Sequence, residues 1–127
     1  RRFGIKQPVF AAEISWPVLF ELIKRNKVAF KEMPKFPEVR RDLALLLDES
    51  VSYADLRTAA FKSAKKLLKQ VGLFDVYRGE KIPEGKKQYA MSFVIQDVEK
   101  TLTDQDTERV MEKLLAMFCK DFGAQLR

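Results

Sequence analysis

The 127 residues are enough for one domain with a real core, and 46% hydrophobic and 11% aromatic content excludes disorder as a description of the whole. With 24 Lys and Arg against 18 Asp and Glu, the net charge of +6 is a modest excess on a densely charged surface and favours a polyanionic partner. The absence of histidine and a single cysteine, Cys119, exclude disulfide frameworks, zinc ligand sets and His-based acid–base catalysis.

The chain opens Arg1-Arg2-Phe3 without an initiator methionine, which suggests a piece of a longer polypeptide. No apolar run approaches the roughly 20 residues of a spanning helix and no signal segment opens the chain, so no membrane partner and a cytoplasmic location are expected. Residues 9–14 (VFAAEI) form an apolar run suited to a short strand. Trp16, Leu19, Phe20 and Ile23 then follow at helical spacing after the early Pro17, predicting a helix over 16–23. Residues 25–37 are basic and punctuated by Pro34 and Pro37, an extended linker whose 28–33 part suits an edge strand.

From Phe36 onward the pattern is more regular. Residues 39–47 alternate as a strand, with Arg41, Leu43, Leu45 and Leu47 on one face and Arg40, Asp42, Ala44 and Leu46 on the other. Ser52 and Asp55 resemble a helix cap, and the helix is expected to run to about Gln70 with Tyr53, Leu56, Ala60, Ala64, Leu67 and Leu68 facing inward and Gly72 closing it. Strands are predicted over 73–78 and 87–96, joined by a loop marked by Gly79, Pro83 and Gly85. Thr103 and Asp106 cap a second helix carrying Val110, Met111, Leu114, Met117 and Phe118 inward and ending near Gly123. Cys119 is read as a structural thiol of its core or boundary, and 124–127 as a closing strand. Strand, helix, strand, strand, helix, strand is the split βαβ order of ferredoxin-like α+β folds: a four-stranded antiparallel sheet with two helices on one face, here with an N-terminal strand-helix extension.

Such a fold leaves one sheet face open. Alternation puts Phe74, Val76, Tyr89, Met91, Phe93 and Ile95 under the helices, and Asp42, Ala44, Asp75, Tyr77, Gln88, Ala90 and Ser92 opposite. The second set suits a docked nucleotide: Tyr77 for stacking, Asp75 and Gln88 for hydrogen bonds to base edges, and Ala44 for close approach. Arg40, Arg78, Lys81, Lys86, Lys87 and Arg127 are placed around its edge to meet phosphates. An RRM shares the element order, but KKQYAMSFVIQ lacks its Arg/Lys-Gly-aromatic motif. Residues 79–85 lack the Lys-Ser/Thr ending of a P-loop. An acylphosphatase-like hydrolase requires an asparagine on the second strand, and the one asparagine, Asn26, lies outside the regular unit. A binding alternative is a ferredoxin-like subunit-association or small-ligand domain. Leu46, Leu73 and Val94 on the open face favour it, and it predicts dimers.

Four strings stand at the expected element positions: KFPEVRRDLAL at 35–45, LFDVYRG at 73–79, IPEGKKQYAMSF at 82–93 and TLTDQD at 101–106, with FGAQLR closing the chain. In that order they resemble the ferredoxin-fold anticodon-binding domain that ends the beta chain of bacterial and organellar phenylalanyl-tRNA synthetases. The resemblance covers residues 28–127, and residues 1–27 resemble the lead-in strand and helix from the preceding region of that chain. It implies that the sheet faces the anticodon stem-loop of tRNA-Phe, with Asp75 and Tyr77 against the first anticodon base and Ala44 lining the same place. Gln88 stands where the family commonly has Ser. Arg41 and Asp42 match a family string and suit either an ion pair at the sheet edge or RNA contact. The resemblance further implies that the fragment contributes tRNA affinity and positioning with no catalytic residue, metal or cofactor of its own. ATP and magnesium serve the parent ligase, whose alpha chain and remaining beta chain are the expected partners in an assembly of two alpha and two beta chains.

Overall fold

The computed structural model of the chain describes residues 4–5, 7–30 and 32–127 and has two units, Arg1–Met33 and Pro34–Arg127. In the first unit a helix, α1 (Trp16–Lys24), forms where the apolar spacing predicts it and runs one residue further. Pro17 suits its first turn, where a missing N–H breaks no hydrogen bond, and Lys24 in the last turn pairs with Glu21 at 2.7 Å. The rings of Trp16 and Phe20 lie 5.9 Å apart on this helix, yet none of its residues is buried. The strand expected over 9–14 does not form, and no edge strand forms at 28–30 or 32–33; Lys31 lies outside the described residues. An apolar run becomes a strand only against a neighbour that takes up its backbone N–H and C=O groups, and among the described residues of the first unit no second strand forms to do so.

The second unit runs β1 (Val39–Asp48), α2 (Tyr53–Ala64), β2 (Leu68–Tyr77), β3 (Lys86–Ile95), α3 (Asp104–Phe122) and β4 (Gln125–Leu126). All pairings are antiparallel in the spatial order β2-β3-β1-β4, which is the ferredoxin-like arrangement that the element order predicts. The β1–β3 register is unbroken from Val39↔Ile95 to Asp48↔Lys86. Simple alternation therefore sends Leu45, Leu47, Tyr89, Met91, Phe93 and Ile95 to one side. There they join Leu56 and Ala60 of α2 and Leu114 and Phe118 of α3 in a single core, with the Phe93 and Phe118 rings 6.0 Å apart.

Local chemistry fixes both core helices. The Ser52 side chain accepts from the Asp55 N–H at 3.2 Å to start α2. Thr103 and Asp106 form a full capping box for α3, and Gly123 ends that helix at φ 62°, a left-handed value natural to glycine. The carboxyl of Asp106 is held below the usual carboxylate range, first by a hydrogen bond from the Lys100 ammonium and then by those from Thr103.

Three local expectations are corrected. Helix α2 stops at Ala64 rather than near Gln70, because Lys65 turns to φ 44° and Leu67 and Leu68 leave the helix for the sheet. The Leu67 carbonyl accepts from Gln96 N–H at 2.8 Å, and Leu68 pairs with Ile95. Gly72 is consequently a mid-strand residue opposite Ser92 and closes nothing. The second concerns β2, whose register slips between Leu73 and Asp75: Leu73 pairs with Met91 and Asp75 with Ala90, leaving Phe74 as the extra residue of a bulge. Phe74, expected under the helices, is 57% exposed, while Leu73, expected on the open face, packs against the core. Val76 keeps the helix side opposite Tyr89 but sits near the strand end and stays 38% exposed. Finally, Cys119 is exposed, since one residue beyond the buried Phe118 turns a helix about 100° away from its core stripe.

Candidate functional site

The open face is built in rows across the sheet. Tyr77, Gln88, Leu46 and Gln125 form one, and Asp75, Ala90 and Ala44 the next. Gly72, Ser92 and Asp42 follow, then Gln70, Val94 and Arg40. The bulge makes this possible. Val71 and Leu73 face the helices, so uninterrupted alternation would carry Asp75 and Tyr77 inward with them. The extra residue at Phe74 reverses the parity and turns both outward.

The result is a floor of small residues, Ala44, Ala90, Ser92 and Gly72, flanked by larger groups. Tyr77, 40% exposed, stands at one end. Its ring lies back over Gly79: a Cβ on that glycine would meet the phenol hydroxyl and would come within 2.6 Å of Tyr77 Cζ. The backbone of residue 79 thus has to be bare for the ring to lie where it does. Beside Tyr77, the Gln88 side-chain oxygen accepts from Arg127 Nη1 at 3.0 Å, and Arg127 Nη2 donates to the Lys81 carbonyl at 3.4 Å. The Arg127 N–H donates to the Ala44 carbonyl at 3.0 Å, which extends the β4 edge next to the floor. This tether leaves the Gln88 amide nitrogen as the donor that side chain offers on the face.

At the other end Arg40 Nε donates to Asp42 Oδ1 at 3.1 Å, and its guanidinium carbon lies 5.8 Å from the Phe74 ring centroid, so the side chain reaches from β1 across β3 to β2. Asp75, Tyr77, Ala44 and Gln88 are therefore brought together, with Arg40 at the far end of the same face. Arg78, just past β2, is exposed and paired with Glu49 at 2.7 Å, and Lys86 sits 3.5 Å from Asp48. Arg41 and Asp42 do not pair with each other: Arg41 bonds Asp104 at 3.3 Å on the helix side, and Asp42 bonds Arg40.

Lys87 is not on this face. It is 4% exposed, its ammonium donates to the Glu49 carbonyl at 2.7 Å, and it lies 4.8 Å from the Tyr89 ring centroid. The rim position expected from its charge is thus corrected: counted back from Tyr89 with period two, residue 87 falls on the helix side, where the long aliphatic stem is tolerated. Phe74 is the residue of the face that alternation could not supply, because nothing in the composition of β2 marks where the extra residue falls.

Among the described residues no helix is long and apolar enough to cross a membrane, and no three Asp, Glu or Cys side chains gather to hold a metal. Residues 34–127 match the family model of the ferredoxin-fold anticodon binding domain. Across all 127 residues the chain is 48% identical to a phenylalanine–tRNA ligase beta subunit of Porphyromonas gingivalis and 44% identical to that of Bacteroides fragilis, covering 16% of each relative. Over 100 residues, 79% of this chain, it is 45% identical to the same subunit of Geobacillus kaustophilus and covers 12% of it. The chain thus spans 12–16% of the length of these relatives.

Proposed function

This chain belongs to the ferredoxin-fold anticodon-binding domain family, and on that premise we propose that its open sheet face holds the anticodon stem-loop of tRNA-Phe on behalf of a phenylalanine–tRNA ligase beta chain. The observation that carries this reading is the convergence of Asp75, Tyr77, Gln88 and Ala44, from three strands, over one floor of small side chains. Tyr77 gives a base a stacking surface. The Asp75 carboxylate accepts, the Gln88 amide donates, and Ala44 and Ala90 let a base approach the sheet. Arg40, at the far end of the face, and the exposed Arg78 serve phosphates on this reading, Arg78 by exchanging its Glu49 partner. Residues 1–27 are the lead-in from the preceding region of the parent, and 28–127 carry the domain, whose compact unit starts at Pro34.

On this reading the fragment supplies affinity and positioning. The coupling of phenylalanine to tRNA with ATP and magnesium belongs to the parent, a cytoplasmic assembly with an alpha chain and the rest of the beta chain. The subunit-association alternative loses Leu73, which packs against the core, and keeps the half-buried Leu46 and Val94 with the exposed Phe74 as apolar residues of the face.

The test is a titration of this chain, beside Tyr77→Ala and Asp75→Ala, against a tRNA-Phe anticodon stem-loop and an anticodon-scrambled control at fixed salt. Salt-sensitive binding that prefers the true anticodon is expected, with Tyr77→Ala costing about 1–3 kcal/mol, the usual worth of one stacked base. Tight binding insensitive to both substitutions places the site elsewhere, and dimerisation without RNA binding supports the association reading.

A further inference from the structure

We propose that Phe74 and Arg40 form a second base-stacking position on the open face, taking a nucleotide next to the one at Tyr77. This rests on the anticodon-loop reading above and adds a site to it. Phe74 has no register partner: Leu73 takes the inward place opposite Met91, Asp75 the outward place opposite Ala90, and the phenyl group between them is 57% exposed. A bulge residue has no ladder bond or core position to satisfy, so a small or polar side chain would serve the bulge as well. An exposed phenyl forfeits the burial that is the usual reason for a phenylalanine. What meets the ring instead is a cation, the Arg40 guanidinium at 5.8 Å, from the face that carries Asp42 and Ala44.

The chemistry of this pair fits a nucleotide. Arg40 spends its Nε on Asp42, and among the described residues no hydrogen bond uses its Nη1 or Nη2, which leaves the terminal fork to a phosphate. Between Arg40 and Phe74 the sheet is floored by Ser92, Gly72 and Ala90, so the side chain that a flat base displaces on its way to the ring is that of Arg40 itself. Phe74 and Tyr77 are three residues apart on β2, and among the described residues their rings do not form an aromatic pair, so each ring offers its own face and the two aromatics take separate bases. On binding, the base covers the phenyl ring and Arg40 turns its fork to the adjoining phosphate, with Asp42 keeping its Nε in place.

The experiment compares this chain with Phe74→Ala, Phe74→Leu, Arg40→Gln and Tyr77→Ala. Each is titrated at fixed salt against the tRNA-Phe anticodon stem-loop and against three versions of it, each lacking one anticodon base. Phe74→Ala and Phe74→Leu are expected to weaken binding of the intact loop by about 5- to 150-fold. That penalty should vanish on one abasic loop, a different one from the loop on which the Tyr77→Ala penalty vanishes. Arg40→Gln should lower the slope of log affinity against log salt by about 1. Penalties that vanish on the same abasic loop mean the two rings serve one base, which overturns the proposal. Wild-type binding by Phe74→Ala beside impaired Tyr77→Ala also overturns it and leaves the Tyr77 site standing, whereas wild-type binding by both removes the anticodon reading itself.

Discussion

Replacing Lys87 separates its two readings, a phosphate contact and a buried strut. In the structure the ammonium is tied to the Glu49 carbonyl at 2.7 Å and lies 4.8 Å from the centroid of the Tyr89 ring, with the whole residue 4% exposed. A hydrogen bond from a charged donor contributes about 1.5–3 kcal/mol and a cation–π contact about 0.5–2 kcal/mol. The ammonium's desolvation opposes both, and its removal returns part of that cost. Lys87→Ala is therefore expected to destabilise the second unit by about 2 kcal/mol. For a unit of this size, a thermal midpoint falls by about 4–8 °C per kcal/mol, giving roughly 8–16 °C. Thermal unfolding by circular dichroism reads the first half of the prediction. Stem-loop titrations at several salt concentrations, below the unfolding transition, read the second: affinity and salt slope unchanged. An unaltered midpoint together with a slope reduced by about 1 would refute the reasoning and return Lys87 to the phosphate rim.

Three further outcomes follow from the same packing. Gly79→Ala places a methyl group where the Tyr77 phenol lies, while the residue needs no left-handed backbone; stem-loop binding should weaken by up to the full Tyr77→Ala effect with the thermal midpoint almost unchanged. Phe118→Ala empties a fully buried site facing Phe93 and Phe122 at 6.0 and 6.4 Å, and urea unfolding should show a loss of about 3–5 kcal/mol. Asp106→Asn removes a carboxylate whose proton affinity folding lowers, through Lys100 first and then Thr103. A depressed folded value stabilises above the unfolded carboxylate range and is lost as pH falls through the folded one. The variant should thus melt lower than wild type at neutral pH, and the gap should close in acid.

The legible parts of this protein were those fixed by near neighbours in the chain. The Ser52 cap and the Thr103–Asp106 box mark helix starts by bonds within a single turn, and Gly123 marks an end by its own backbone freedom. Strands β1 and β3 alternate without interruption and pair in one continuous register, so their faces follow from parity alone. Hence Ala44 and Gln88 were correctly sided from composition, as was the βαββαβ order.

The rest was decided by partners distant in sequence. Leu67 and Leu68 fit a helix stripe and a strand start equally well, and only the backbone groups of Gln96 and Ile95 draw them into the sheet. The run at 9–14 has a strand's composition but no ladder to join. Lys87 had alternation arguing for the interior and charge for the surface; the Glu49 carbonyl and the Tyr89 ring, both supplied by the fold, settle it inward. Asp75 and Tyr77 were sided correctly, yet for the wrong reason, since unbroken alternation from Leu73 puts that leucine outside and Phe74 inside. One sequence of β2 thus determined which residues alternate and that Asp75 and Tyr77 share a side. Where the bulge falls, and so which side that is relative to Val71 and Leu73, was decided by β3, because a register exists only between two strands.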